Sequence, residues 1–291
     1  MSTMSEATTG TLRVPGAVLT YDVRPVDSTL PALLVIGSPM GASGFGTLAG
    51  HFADRTVVTY DPRGVERSVK DDPSSQSTPE EHADDLHRLI AALDMGPVDV
   101  FASSGGAVNA LALVARHPEQ VRTLVAHEPP LASILPDRDG ALAACRAVHD
   151  AYERRGFGVG MARFILAVGH QGPMTPEFAA QPDPDPAMFG LPPGDDGNRT
   201  DPLLGQNIVS CTHHEPDFAA LRAASTRIVL GAGAATAGQM AHRGALAVAE
   251  RLGTEPVIFP GDHGGFLGGE HGQRGEPDAF AATLRDVLAE A

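Results

Sequence analysis

Ser104 stands in Ala102-Ser103-Ser104-Gly105-Gly106, between the apolar run Val98-Asp99-Val100-Phe101 and the small, apolar, Pro-free segment from Ala107 to Arg116. The first segment reads as a short buried strand and the second as a helix packed on a sheet. A serine at such a strand–turn–helix junction is a nucleophile elbow: the turn strains the Ser backbone, and strand and helix pass so close that only small neighbours fit. Ala102 and Gly106 supply that space, and Gly105 adds more. Centring the motif on Ser103 would put the bulky Phe101 at the first small position, so the candidate nucleophile is Ser104.

A serine hydroxyl at its ordinary pKa is a poor nucleophile and needs a base oriented by a third group. The base candidate is His263, in Phe259-Pro260-Gly261-Asp262-His263-Gly264-Gly265-Phe266, where glycines let a loop carry the imidazole toward the elbow. An Asp would ordinarily follow the run Thr226 to Leu230. The loop there reads Gly231-Ala232-Gly233-Ala234-Ala235-Thr236 and holds no carboxylate. The acid candidate is therefore Glu128, in Ala126-His127-Glu128-Pro129-Pro130, at the end of the strand beside the elbow strand. Neighbouring parallel strands lie ~4.8 Å apart, so their carboxyl ends share one rim, and a long Glu side chain can reach along it. Asp262 is the rival, although adjacent residues rarely point at each other. If the pleat continues, His127 faces away from Glu128.

Charge that develops on a carbonyl oxygen needs two backbone N–H groups. Gly105, directly after the nucleophile, gives one. The other is expected from Gly37-Ser38-Pro39-Met40-Gly41, after the apolar run Leu33 to Ile36. Pro39 has no N–H, so Ser38 is the first candidate and Met40 the alternative. This glycine-rich stretch lacks the Lys and the spacing of a phosphate-binding loop.

These residues must be carried by an ordered framework. Apolar runs predict strands over 18–23, 33–36, 55–60, 98–101, 121–126, 226–230 and 256–259. Helical spacing predicts helices over 45–53, 79–93, 107–116, 241–252 and 277–288, the second opened by Thr78-Pro79-Glu80-Glu81 with its cap residue, proline and acidic first turn. Strands that alternate with helices imply an α/β fold with a mostly parallel sheet covered on both faces. From Pro129 to about Arg222 the rhythm changes: helical patterns over 141–155 and 161–168 precede a Pro-, Gly- and Asp-rich stretch over 171–205. We expect a helical cap over 131–222, inserted into a core of 11–130 and 223–291 and lying over the carboxyl ends of the strands, where open sheets bind ligands. Met40, Met161, Phe164, Ile165, Met188 and Phe189 are the apolar candidates for substrate contact; the cap residues among them could equally serve only as cap core.

The 291 residues, 42% of them hydrophobic, suffice for one large domain with such an insertion. No run approaches the roughly 18 apolar residues of a membrane span. Residues 1–10 are polar, lack Lys and Arg, and read as a frayed tail instead of a signal peptide. Cys145 and Cys211 form no spacing pattern, so free buried thiols and a reducing cytoplasm are expected. A net charge of -15 argues against nucleic-acid and anionic-membrane partners. No metal-ligand cluster or dinucleotide fingerprint occurs, so no metal or other cofactor is expected. The expected partner is a small apolar ester or lactone, and a homodimer is compatible with the chain. The chain's single lysine is Lys70.

From about residue 11 to 290 the chain resembles the α/β-hydrolase superfamily, and within it the members whose acid is a Glu after the strand that follows the elbow strand, such as the zearalenone lactonases. The resemblance is carried by Ser103-Ser104-Gly105-Gly106-Ala107, by His127-Glu128 followed by Pro, and by the Ser104-to-Glu128 separation. It implies an α/β-hydrolase fold, with Ser104 as nucleophile, Glu128 as acid, His263 as base, and the N–H groups of Ser38 and Gly105 as oxyanion donors. Fungal members of that group set a cap Trp against their macrolactone, and this chain has no Trp. The expected reaction is cofactor-free hydrolysis of an ester or lactone through an acyl-enzyme. Carbon–carbon hydrolysis of ring-cleavage products, an anthracycline-type methylesterase and a non-catalytic ligand receptor on the same scaffold are the alternatives.

Overall fold

The computed structural model describes residues 7–290. Its strands are β1 (Thr8–Val14), β2 (Ala17–Arg24), β3 (Leu33–Ile36), β4 (Val57–Asp61), β5 (Val69–Lys70), β6 (Val98–Ser103), β7 (Val121–His127), β8 (Arg227–Gly233) and β9 (Val257–Phe259). The helices are α1 (Gly46–Gly50), α2 (Pro79–Leu93), α3 (Gly105–Arg116), α4 (Arg138–Arg155), α5 (Phe157–Gly169), α6 (Pro176–Ala179), α7 (Ile208–Ser210), α8 (Phe218–Ala223), α9 (Met240–Leu252) and α10 (Pro277–Ala289). All strands join one sheet in the order β1-β2-β4-β3-β6-β7-β8-β9, with β5 paired to β2. β2 is antiparallel to β1, β4 and β5, and every pairing from β4 to β9 is parallel.

Alternation along each central strand divides the core. Leu34 and Ile36 of β3 pack with α2, α3 and α9, whereas Leu33 and Val35 pack on the other face with Phe45, Leu48 of α1 and Phe280 and Leu284 of α10. Phe101 of β6 joins the second face and Ala102 the first. The doubly covered parallel sheet expected from the strand–helix rhythm is thus present. The Thr78 capping box at α2 is also formed, with Glu81 reaching back to the Thr78 N–H. Residues between β7 and α8 build a separate apolar cluster from Cys145 and Val148 of α4, Ala167 of α5, Leu204 and Ile208, closed beneath by Met240 of α9. α8 returns to the sheet, where Leu221 enters the core shared by α3 and α9.

Several expectations need correction. Thr8 to Gly10, read as tail, belong to β1; residues 1–6 lie outside the described residues. β1 is an edge strand whose outer residues are mostly exposed, so it lacks the apolar alternation that marks a strand. β5 is only two residues long and carries no period at all. The helix expected over 45–53 is a 3₁₀ turn, Ala42–Phe45, followed by the short α1.

The close approach required at the elbow is visible in the packing of α3 on the chain after β3. A methyl added at Gly106 would lie 2.7 Å from Gly37 Cα and 2.8 Å from its carbonyl carbon. One at Gly105 would meet the Ser38 carbonyl oxygen at 2.6 Å. Backbone cannot retreat as a flexible side chain can, so Gly106→Ala is expected to cost about 1–3 kcal/mol of stability, the usual range for overpacking. Urea unfolding checks this, and an unchanged midpoint contradicts it.

Candidate active site

Parallel register sets the site. Ser103 pairs with His127, and His127 with Gly231, so Ser104, Glu128 and the chain after Gly231 leave the sheet side by side. Two further hydrogen bonds extend the ladder: the Ser104 N–H donates to the His127 carbonyl and the Glu128 N–H to the Gly231 carbonyl, both at 3.0 Å. Beyond these bonds both side-chain bearers leave extended geometry. Ser104 has φ 57° and ψ -129°, and Glu128 has φ 49°. Non-glycine residues pay conformational strain there, and such strain concentrates at functional sites.

Glu128 is fully buried, and one carboxylate oxygen, Oε2, lies 2.6 Å from His263 Nδ1. The other, Oε1, accepts from the Gly233 N–H at 2.9 Å and from the Thr236 hydroxyl. Burial acts to raise the carboxyl pKa, but the His263 hydrogen bond and charge, with smaller help from His127 and Thr236, outweigh it and leave the pKa lowered to about 2. An ionised carboxylate only accepts, so a neutral His263 must keep its proton on Nδ1 and present Nε2 as a lone-pair acceptor. The loop after β8, which has no carboxylate of its own, thus holds one from the neighbouring strand. Asp262, the rival, is exposed and accepts the N–H of Gly264 at 2.9 Å.

Ser38, Ser104, Gly105 and His263 line one cavity of about 200 Å³. Among the described residues no hydrogen bond joins Ser104 Oγ to His263; such contacts are often loose before a substrate enters. Gly105 is the first residue of α3, where the helix offers its N–H no internal partner. The remaining walls are mostly apolar and come from Phe164 and Val168 of α5, Leu203, Ile208 and Met240. Asn207 closes the rim by donating from Nδ2 to Ser38 Oγ at 2.7 Å.

Of the apolar candidates, only Phe164 lines this cavity. Phe164 and Val168 are four residues apart on one helix face; Met161 packs with Phe164 on the insertion's own core but does not line the cavity, and Ile165 is 38% exposed. Met188 is 79% exposed and Phe189 partly so, on a 3₁₀ turn at the surface. Met40 packs over Gly44 against the core under α1. Sequence reasoning missed Thr236, Asn207, Cys211 and Met240. Thr236 was the one hydroxyl in its loop and so had a signal; Asn207 and Cys211 follow an irregular stretch without period.

His127 is fully buried, with its ring 5.2 Å from Phe280, 5.6 Å from Phe259 and 6.1 Å from the His263 ring that Glu128 holds, so the pleat does not carry it clear of the site. Its Nε2 has no partner among the described residues. Among the described residues no group of three or more His, Cys, Asp or Glu could hold a metal ion, and no helix is long and apolar enough to cross a membrane.

The alpha/beta hydrolase fold family model matches residues 33–145. An uncharacterized hydrolase, YraK, of Bacillus subtilis (strain 168) is 34% identical over 262 residues, which cover 88% of this chain and 90% of that protein. A thermophilic esterase from Thermogutta terrifontis superposes with a TM-score of 0.65 at 19% identity, over 98% of this chain and 99% of its own. The enol-lactonase from Burkholderia xenovorans LB400 superposes with a TM-score of 0.60 at 18% identity, over 96% and 100%.

Burial holds the His127 ring pKa down to about 3, against 6.5 when unfolded. Between those values the unfolded chain binds a proton that the folded chain refuses. Stability is therefore complete above pH 6.5 and falls as pH drops through the window. His127→Phe is expected to shrink the stability lost between pH 7 and about pH 4 by on the order of 2 kcal/mol. Urea unfolding at the two pH values measures it; an equal loss in variant and parent refutes it.

Proposed function

Since the chain belongs to the α/β-hydrolase family, we propose that it is a serine hydrolase that cleaves a carboxylic ester or lactone through an acyl-enzyme. The observation that carries this reading is the buried Glu128 carboxylate, 2.6 Å from a His263 that shares one cavity with the strained Ser104. His263 Nε2 takes the hydroxyl proton as Ser104 Oγ attacks the carbonyl carbon, and Glu128 stabilises the imidazolium that forms. The N–H groups of Ser38 and Gly105 receive the tetrahedral oxyanion. Collapse expels the alkoxide, which His263 protonates; in a lactone this alcohol stays tethered to the acyl group. Water, deprotonated by the same imidazole, then attacks the acyl-enzyme and frees the acid and Ser104.

A cavity of about 200 Å³ with Phe164, Val168, Leu203, Ile208 and Met240 in its walls suits a small apolar acyl or alkyl group. Its size, with the absence of Trp, turns the reading toward small esters and lactones and away from zearalenone itself. The esterase and enol-lactonase among the similar folds are in keeping with that range of chemistry.

Ser104→Ala is expected to lower kcat on a p-nitrophenyl ester by ~10⁴ to 10⁶, whereas Ser103→Ala keeps most of it. Labelling by a fluorophosphonate should vanish only in the Ser104 variant. Turnover by Ser104→Ala comparable to the parent's would sink the assignment. Glu128→Gln keeps the shape of the side chain but can no longer stabilise the imidazolium, so a fall of roughly 10³ to 10⁴ in kcat is expected. Asp262→Asn should cost far less. Steady-state kinetics on one ester compares them, and near-parental turnover of Glu128→Gln would leave a Ser104–His263 dyad as the better account.

A further inference from the structure

A second cavity, of about 210 Å³, shares Ser38 and Asn207 with the reaction cavity and differs from it in chemistry. Arg63, Lys70 and His82 line it, and no carboxylate is among its lining residues. Arg63 is already matched, since Asp85 accepts from its Nε and Nη2 at 2.7 Å each. Lys70 is different. It is the chain's single lysine, only 6% exposed, and among the described residues it forms no ion pair. Its ammonium donates to the neutral carbonyl of Ser75, which leaves two of its three N–H donors free. Its stem is packed against Gly64, where an added methyl would lie 2.8 Å from Lys70 Cδ.

His82 supplies the second observation. It is 2% exposed, lines the cavity, and neither ring nitrogen has a partner among the described residues. Burial, reinforced by the charges of Arg63 and Lys70, keeps this ring neutral by pushing its pKa down to about 3, so it offers one N–H donor. Glu81 and Asp72 act on Lys70 only from beyond ion-pair contact. A buried ammonium with no carboxylate in contact and a buried ring without a hydrogen bond are both costly, and native structures rarely keep them together unless something fills the gap. In a chain of net charge -15 this pocket is a local concentration of unmatched donors.

We propose that this cavity is a subsite for a carboxylate of the substrate, bound by Lys70 and His82. It follows that the preferred esters or lactones carry a free carboxylate remote from the bond that is cleaved. One ammonium without an ion-pair partner and three free N–H donors match a monoanion with two acceptor oxygens, and charge-assisted bonds of this kind are the strong ones. The shared wall of Ser38 and Asn207 puts the subsite beside the proposed oxyanion position. The inference rests on the hydrolase reading for the identity of the ligand as substrate, but not for its binding.

The test uses Ser104→Ala protein and pairs of ligands: the monomethyl and dimethyl esters of succinate, glutarate and adipate, titrated by calorimetry. In at least one pair the half-ester is expected to bind about tenfold tighter than the diester. Lys70→Gln should erase that preference and Lys70→Arg should retain part of it. A readout without a Lys70 variant comes from lysine labelled with ¹³C at Cε, which contributes one resonance that should shift with the half-ester and not with the diester. Equal affinities within every pair, as for a cavity that holds only water, overturn the proposal. So does a preference that survives Lys70→Gln or leaves the resonance unmoved. Methanol released by the Ser104→Ala protein during titration would fault the hydrolase mechanism instead, so the two failures are distinguishable.

Discussion

The hydrogen bond between the buried Glu128 carboxylate and His263 Nδ1 is the constraint on which the rest of the site depends. A fully buried carboxylate is unfavourable unless its acceptor sites are filled. Here the sheet and its loops fill them. The Gly233 N–H and the Thr236 hydroxyl take one oxygen and the imidazole takes the other. Thr236 is itself buried, and the loop that carries it returns to the sheet through the Ala234 N–H and the Phe259 carbonyl, 2.9 Å apart. The carboxylate is therefore fixed by main chain of β7, β8 and their connections, and the imidazole is oriented by something that cannot swing. In the proposed hydrolysis this matters at the moment the ring becomes charged, since no reorganisation is needed to receive the charge.

The strand on which Glu128 stands changes how a carboxylate must be brought to His263. An acid after β8 would face His263 from its own loop; one after β7 must turn sideways along the rim. The positive φ of Glu128 is that turn, and the bond from its N–H to the Gly231 carbonyl pins it. His127, one residue earlier, packs among Phe101, Phe259 and Phe280, with its ring 6.1 Å from that of His263. Two adjacent ionisable residues thus reach opposite regimes: the His263 hydrogen bond keeps the carboxylate ionised, and burial keeps the imidazole neutral.

Much of this was legible in the residues because it depends on local sterics. The Ser104 register follows from the size of Phe101, and packing at Gly105 and Gly106 shows how little room there is. The position of Glu128 was readable because parallel neighbours share a rim. The strand order was not, since β4 sits between β2 and β3 through pairings that no local pattern encodes. The cavity walls were misread for a similar reason. Within α5 the apolar residues surround the helix, so composition could not say that Phe164 and Val168 reach the cavity while Met161, packed on the same core as Phe164, does not. Met188 and Phe189 lie in an irregular stretch where period gives no direction at all.

The insertion between β7 and β8 supplies neither Ser104, His263 nor Glu128, yet it supplies much of the wall of the cavity that Ser104 and His263 share. Its α5 and the turn at Leu203–Asn207 roof the reaction cavity. The same turn sends Asn207 down to the Ser38 hydroxyl. Asn207 is buried, and both partners line both cavities, so this bond forms part of the wall between an apolar space and a polar one. A residue on the insertion thereby fixes the side chain of the rim residue whose N–H is proposed to hold the oxyanion. In the proposed hydrolysis, selection of the ligand and alignment of the reacting carbonyl would be joined in one contact. A change in the insertion that shifts Asn207 would disturb the rim without touching any residue on the strands.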